Sequence, residues 1–66
     1  MKRKQNWMFK GAIVLALGKK GIIKTMQENS IYGTDYVYYI DVQLEGEKRS
    51  GRYHPNDIQE LILTTV

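Results

Sequence analysis

The sequence predicts an all-β domain in which five short strands curl into a small barrel, with one turn of 3-10 helix before the last strand. Residues 36–44 alternate between two sets of side chains with the period of two that a strand produces. Glycines separate the apolar segments at the positions where hairpin turns are needed. The 66-residue chain has no cysteine, so a single core must form without disulfides. So many short strands bury their apolar faces only when the sheet curls.

A first hairpin is predicted early in the chain. Residues 11–17 form a short apolar run bounded by glycines, which is typical of a strand. Two glycines three residues apart then predict a tight turn, with Lys19 and Lys20 at its solvated tip. Residues 21–28 contain two isoleucines and are predicted to return antiparallel to the first strand.

The middle of the chain is predicted to contain a loop followed by the most strongly indicated strand. Residues 28–35 have the composition of a turn and predict the longest loop of the domain. Residues 36–44 predict the third strand, because β-branched and aromatic residues favour the pleated sheet. The side chains of this strand that we expect to be hidden together in the core are Tyr38, Ile40, Val42 and Leu44.

The last third of the chain predicts a second hairpin, a helical turn and a final strand. Gly46 lies between two glutamates and predicts a tight connection, so that residues 47–53 return as a polar strand. Residues 54–58 predict one 3-10 turn, because proline fixes φ and the asparagine and aspartate can accept backbone hydrogen bonds. Residues 61–66 predict the last strand.

The positive charge is concentrated at the N-terminus. The net charge is +3, but residues 1–10 hold four basic residues and no acid, while the rest holds six basic and all seven acidic residues. We therefore predict a basic N-terminal arm, residues 1–10, followed by the barrel, residues 11–66. Such an arm is typical of binding to nucleic acid or to an anionic surface, and equally of a terminus that keeps a small protein in solution.

Several short segments together resemble the SH3-like barrel superfamily. Residues 20–23, Lys-Gly-Ile-Ile, are similar to the central glycine-plus-apolar feature of KOW-type modules. Residues 38–40, Tyr-Tyr-Ile, are similar to a segment of the RNA-polymerase-interacting domain of CarD-type regulators. The resemblance spans residues 11–64 and implies an SH3-like fold, with partners in transcription or translation.

The available residue types argue against catalysis and against a metal site. His54 is the only histidine, and although Ser50 and Asp57 lie near it in sequence, no nucleophile elbow is present, so we expect His54 to be a capping or surface group. No cysteine, ligand spacing or glycine-rich phosphate loop suggests a metal or cofactor. An enzyme formed by oligomerisation, as in the plasmid-type dihydrofolate reductases, is an alternative, although the Val-Gln-Ile-Tyr segment of those SH3-like barrels is missing here.

The leading functional hypothesis is a small non-enzymatic binding module, used for nucleic acid or within a transcription or translation assembly. Basic side chains can follow a phosphate backbone, and tyrosines at the barrel mouth can stack on bases or surround a methylated ammonium. Tyrosines can equally cover the ends of a small core, and the lysines and arginines can equally form a solvated surface. The predicted contact residues are Lys2, Arg3, Lys4, Lys19, Lys20, Lys48, Arg49, Arg52, Tyr32, Tyr36 and Tyr39.

The alternative hypothesis is a protein-interaction adaptor or a self-associating module. Trp7 and Phe9 either pack the arm against the barrel or form an exposed apolar patch for a partner, together with an open strand edge. A homo-oligomer is therefore one of the alternatives. No segment approaches the ~20 apolar residues that span a bilayer, so we expect a soluble, cytoplasmic protein with no membrane partner.

Overall fold

The fold is a single antiparallel sheet, and the computed structural model describes residues 1–61. Its elements, in chain order, are β1 (Lys2–Arg3), β2 (Ile13–Ala16), β3 (Lys19–Ile31), β4 (Thr34–Leu44), β5 (Ser50–Tyr53), a 3-10 turn (Pro55–Asp57) and β6 (Ile58–Glu60). The strand order is β1-β4-β3-β2-β6, and β5 also pairs with β4. β3 pairs along one edge of β4. β1 and β5 pair with the other edge, β1 nearer the beginning of β4 and β5 nearer its end.

The sheet curls into a half-barrel, which confirms the prediction of an all-β fold with one 3-10 turn before the last strand and is compatible with an SH3-like fold. One face encloses the core, and the other, called here the outer face, is exposed to solvent. The buried apolar residues are Met8, Ala12, Val14, Ala16, Ile23, Val37, Ile40, Val42 and Ile58. No polar or charged residue is buried among residues 1–61, so apolar packing alone forms this core.

Two bulges interrupt the pairing of β3 with β4. Lys24 is the extra residue on β3, since Ile23 pairs with Val42 and Thr25 with the adjacent Asp41. A bulge bends its strand and changes the direction of nearby side chains.

Tyr38 is the extra residue on β4, since Gln27 pairs with Tyr39 and Glu28 with Val37. The predicted alternation is therefore wrong at one of its four core positions. Tyr38 is 37% exposed, and Val37 takes the buried place instead. Ile40 is fully buried, as predicted.

Two tight turns differ from the predicted connections. The first hairpin turns at Leu17 and Gly18, both with positive φ, so Lys19 and Lys20 are the first residues of β3 and not the tip of the turn. Positive φ at both central residues is the geometry of a type I′ turn, which matches the twist of the flanking strands.

The predicted long loop at residues 28–35 is also wrong. β3 continues to Ile31 and β4 begins at Thr34, so only Tyr32 and Gly33 connect them, again with positive φ at both residues. The polar residues of this segment belong to the end of the β3–β4 hairpin that solvent reaches, where polar side chains are compatible with a strand.

The N-terminal segment is integrated into the sheet and the core. Lys2 and Arg3 pair with Val37 and Tyr36 of β4. Met8 is completely buried, and Trp7 packs against the core while half-buried. Residues 1–10 thus contribute both a strand and a core side chain.

The C-terminal elements follow the prediction in part. β5 begins at Ser50, three residues later than predicted, and residues 45–49 form the connection. The 3-10 turn is confirmed, and Pro55 within it is buried. β6 begins at Ile58, earlier than the predicted last strand, because Ile58 pairs with Ala16 and enters the core. Leu61 lies outside β6, and residues 62–66 of that prediction lie outside the described residues.

Candidate functional site

The predicted contact residues separate into two groups along β4. One group lies at the Leu44 end of β4 and the other beside β1, near the Tyr32–Gly33 turn, while Tyr39 and Arg52 lie between them. Tyr36 and Leu44 are eight residues apart on β4, which corresponds to about 27 Å at the rise of a strand. The eleven residues therefore do not form one compact patch.

The first group combines bases with acids. Lys19 and Lys20 begin β3, and Lys48 and Arg49 lie in the exposed 45–49 connection. The two hairpin connections do meet at this end, because the Glu45 backbone N–H donates to the Lys20 carbonyl at 2.9 Å.

The acids in this connection reduce the positive charge. Lys20 Nζ lies 3.9 Å from Glu45 Oε2, and Glu47 is exposed in the same connection. This end of the sheet therefore has a mixed-charge surface, which attracts a polyanion only weakly.

Three of the four basic residues in the N-terminal segment were predicted as contacts, and each has a different environment. Lys2 is half-buried opposite Val37. Lys4 Nζ forms an ion pair with Glu28 Oε1 at 2.6 Å, and the Lys4 backbone N–H donates to the Asp35 carbonyl. Arg3 is exposed and lies directly opposite Tyr36, with no ion pair among residues 1–61.

The outer face of β4 brings tyrosines and arginines together. Tyr36 alternates with buried Val37 and therefore points to the outer face, where Arg3 and Asn29 flank it on the neighbouring strands. Asn29 Nδ2 donates to the Tyr38 hydroxyl oxygen at 3.3 Å, which brings Tyr38 to the same face. The bulge thus adds a third tyrosine to this face.

Tyr39 and Arg52 continue this surface towards β5. The Arg52 guanidinium carbon lies 3.8 Å from the centre of the Tyr39 ring, a cation–π distance. Arg52 Nε donates to Asp41 Oδ1 at 3.2 Å, and the Thr25 hydroxyl donates to Asp41 Oδ2 at 2.7 Å. Both oxygens of the carboxylate are used, so Asp41 fixes the guanidinium over the ring.

We call this surface the tyrosine face. It consists of five side chains on the outer side of β4 and of the two strands, β1 and β5, that pair with the same edge of β4. They are Arg3, Tyr36, Tyr38, Tyr39 and Arg52.

Tyr32 lies apart from the tyrosine face. It is fully exposed in the turn between β3 and β4. A polar recess of about 390 Å³ lies next to this turn, between Arg3 and the residue pair Gly33 and Thr34.

A separate groove of about 370 Å³ lies at the other end of the outer face. Ile13 and Ile22 pair across β2 and β3 at its floor and are 49% and 44% exposed, which is unusual for isoleucines on adjacent strands. Lys20, Glu45 and Glu47 form its charged rim. Phe9 is also exposed, but it does not line this groove.

His54 has a structural role, as the sequence predicts. Its Nδ1 accepts a hydrogen bond from the Asn56 backbone N–H at 3.2 Å and thereby caps the 3-10 turn. Residues 1–61 contain no cluster of three or more potential metal-ligating side chains. Within the same residues, no helix has the length and apolar character required to cross a bilayer.

Sequence reasoning identified part of the tyrosine face and missed the rest. Arg3, Arg52, Tyr36 and Tyr39 were predicted as contacts, but Tyr38 was assigned to the core. The Asp41 anchor and the apolar groove were missed as well. The outward position of Asp41 follows from the alternation, whereas a bulge leaves no signal in a single strand's sequence.

Comparisons of the chain with protein-family models, with curated proteins and with solved structures gave no match.

Proposed function

We propose that this chain is a non-enzymatic nucleic-acid-binding module of the SH3-like type that uses its tyrosine face. The observation that carries the proposal is the Arg52 guanidinium held over Tyr39 by Asp41, on the same face as exposed Tyr38 and half-buried Tyr36. Arginines that contact phosphates and aromatic rings that stack on bases are the combination by which proteins bind nucleic acid strands.

The fold and the charge distribution support this assignment. The half-barrel with a 3-10 turn before the last strand is compatible with the SH3-like superfamily, and the sequence resembles its KOW-type and CarD-type members. A role within a transcription or translation assembly accords with that resemblance. Arg3 and Arg52 lie at opposite ends of the tyrosine face, so a bound strand would meet a cation at each end.

A salt titration of oligonucleotide binding tests the proposal. Two arginine–phosphate contacts predict a slope of about −1.4 for log K against log salt with a single strand, or about sevenfold weaker binding between 50 and 200 mM salt. Arg3→Ala and Arg52→Ala should each make the slope shallower by about 0.7.

Arg49→Ala is the matched control, because it removes the same charge from the other end of β4. Its slope should equal that of the unmodified protein. If Arg49→Ala instead reduces the slope while the two other variants do not, the mixed-charge end binds the nucleic acid. If no oligonucleotide binds at 50 mM salt, the proposal fails.

The alternative function is self-association through the apolar groove. Ile13 and Ile22 are half-exposed there, and the rim offers Lys20 and Glu47. Because the rim carries charges of both signs, it allows a two-fold dimer in which the lysine of each copy lies opposite a glutamate of the other.

Light scattering after gel filtration tests this alternative. A dimer would have twice the 7.7 kDa mass of the chain, and Ile22→Lys should convert it to a monomer. Phe9→Ser removes an exposed apolar side chain outside the groove and should leave the dimer intact. A monomer for the unmodified protein up to millimolar concentration excludes the alternative.

A further inference from the structure

Tyr39 and Arg52 differ in which parts of their side chains a ligand can reach. One face of the Tyr39 ring is covered by the guanidinium at 3.8 Å, and the ring as a whole is half-buried. Arg52 uses Nε for Asp41, while its side chain is 63% exposed and its two terminal nitrogens donate to no group among residues 1–61. The free donors of this pair therefore belong to the arginine.

The planar guanidinium presents its terminal nitrogens as two parallel donors, which match two oxygens of a phosphate. Its orientation is fixed before any ligand arrives, because Asp41 holds it from one side and Tyr39 lies beneath it. Less rotational freedom is then lost on binding than for a free arginine.

Tyr38 offers an exposed aromatic ring, whereas Arg52 offers hydrogen-bond donors. It is the bulged residue of β4, it is 37% exposed, and its hydroxyl accepts a hydrogen bond from Asn29. This bond fixes the hydroxyl end of the ring against β3. Tyr38 immediately precedes Tyr39 on the outer face of β4, with its hydroxyl directed towards β3, whereas Arg52 reaches over Tyr39 from β5. An exposed aromatic ring and the Tyr39–Arg52 pair therefore occupy consecutive positions of the same strand.

On the basis of the proposed function, we infer that the tyrosine face binds single-stranded nucleic acid, with Tyr38 stacking on an unpaired base and the terminal nitrogens of Arg52 holding the adjacent phosphate. Tyr39 is then a positioning residue. In a duplex the faces of the bases are occupied by their neighbours, so a ring on an exposed sheet can stack only on an unpaired base.

The test compares three fluorescein-labelled probes of equal length by fluorescence anisotropy at 50 mM salt: oligo(dT), oligo(U) and a DNA duplex. The inference predicts about 5- to 150-fold tighter binding of a single strand than of the duplex, which is the contribution of one base–aromatic stack. The two single-stranded probes distinguish DNA from RNA as the source of the bases.

Tyr38 variants test the stacking contact. Tyr38→Ala should weaken single-strand binding about 5- to 150-fold, since one base–aromatic stack is worth about 1–3 kcal/mol. Tyr38→Phe keeps the ring and should stay within about twofold of the unmodified protein, because only the Asn29 hydrogen bond is lost. Tyr32→Ala removes an exposed tyrosine outside the tyrosine face and should change nothing.

Tyr39 variants test positioning separately from stacking. Tyr39→Phe should retain binding and its salt slope, because the ring beneath Arg52 remains. Tyr39→Leu should weaken binding and also make the salt slope shallower, since the guanidinium loses its support. A merely structural residue would not change the slope in a variant that stays folded by circular dichroism.

Two different results distinguish the absence of base stacking from the absence of nucleic-acid binding. If the duplex binds as tightly as the single strands, and Tyr38→Ala has no effect while Arg52→Ala weakens binding, phosphate contacts alone operate and the inference is overturned. If none of the three probes binds, the proposed function fails together with it.

Discussion

The Arg52 guanidinium carbon lies 3.8 Å from the centre of the Tyr39 ring and links β5 to the outer face of β4. The contact is possible because Arg52 pairs with Asp41, two residues beyond Tyr39 on β4, so the long side chain reaches diagonally across the strands. Diagonal neighbours on adjacent strands are within reach of such side chains.

A double-mutant cycle measures the strength of this contact. With Tyr39→Leu, Arg52→Ala and the double variant, urea unfolding should give a coupling free energy of about 0.5–1 kcal/mol, the usual value for an exposed cation–π pair. A coupling indistinguishable from zero would show that the two side chains lie together without stabilising one another.

Gly21 allows close approach of β3 to β4. A Cβ at this position would lie 2.5 Å from Val42 Cγ1 and 2.9 Å from the Gln43 carbonyl oxygen. Gly21→Ala should therefore lower the free energy of unfolding by about 1–3 kcal/mol, the usual cost of overpacking.

Gly51→Ala is the matched control on β5, since its Cβ would have an ordinary 3.4 Å contact with the Tyr53 ring. It should be neutral or slightly stabilising, because alanine restricts the unfolded chain. Equal destabilisation by both substitutions, measured by urea unfolding, would contradict the packing described for Gly21.

Met8 ties the N-terminal segment to the core. Because the side chain is completely buried, Met8→Ala should reduce the free energy of unfolding by about 2–5 kcal/mol. The total for a chain of this length is about 3–10 kcal/mol, so this loss is a large share of it and should lower the melting temperature.

The controls for Met8 are Met8→Leu, which conserves volume and should cost less than about 1.5 kcal/mol, and Met1→Ala at an exposed position. Thermal unfolding followed by circular dichroism compares the three variants. A melting temperature for Met8→Ala that matches that of Met1→Ala would mean that the segment is not part of the core.

The Leu17–Gly18 turn contains a strained leucine. Leu17 has a φ of 51°, a left-handed conformation that costs an L residue roughly 1–2 kcal/mol and that asparagine tolerates better. Leu17→Asn should therefore stabilise the protein by about 1 kcal/mol in urea unfolding. Gly18→Ala, at a φ of 81°, should act in the opposite direction. Destabilisation by Leu17→Asn would contradict this turn geometry.

The sequence was sufficient to predict the elements whose structure depends on local chemistry. The alternation through Ile40 and Val42 identifies a strand with one buried face, and both residues are fully buried. Residues 54–58 predict the helical turn because proline and its capping neighbours act within a few residues.

The remaining features depend on partners that are distant in the sequence. Tyr38 leaves the core because β3 supplies one residue fewer than β4 at that point, which no pattern within β4 reveals. The segment around Tyr32 has the composition of a loop but pairs as a hairpin, since continuous pairing with the neighbouring strand outweighs local propensity. Residues 1–10 were predicted to form an arm, and Met8 was placed in it. Its burial depends on contact with core residues from several strands, which the sequence of the segment alone does not indicate.

Chemical-shift mapping of ¹⁵N-labelled protein during titration with oligo(dT) and oligo(U) identifies the residues that contact a single strand. We expect the largest shifts on residues 36–39 and on the backbone and side-chain N–H groups of Arg3 and Arg52. Shifts confined to Lys19, Lys48 and their neighbours at the other end of β4, or no shifts with either strand, would contradict this prediction.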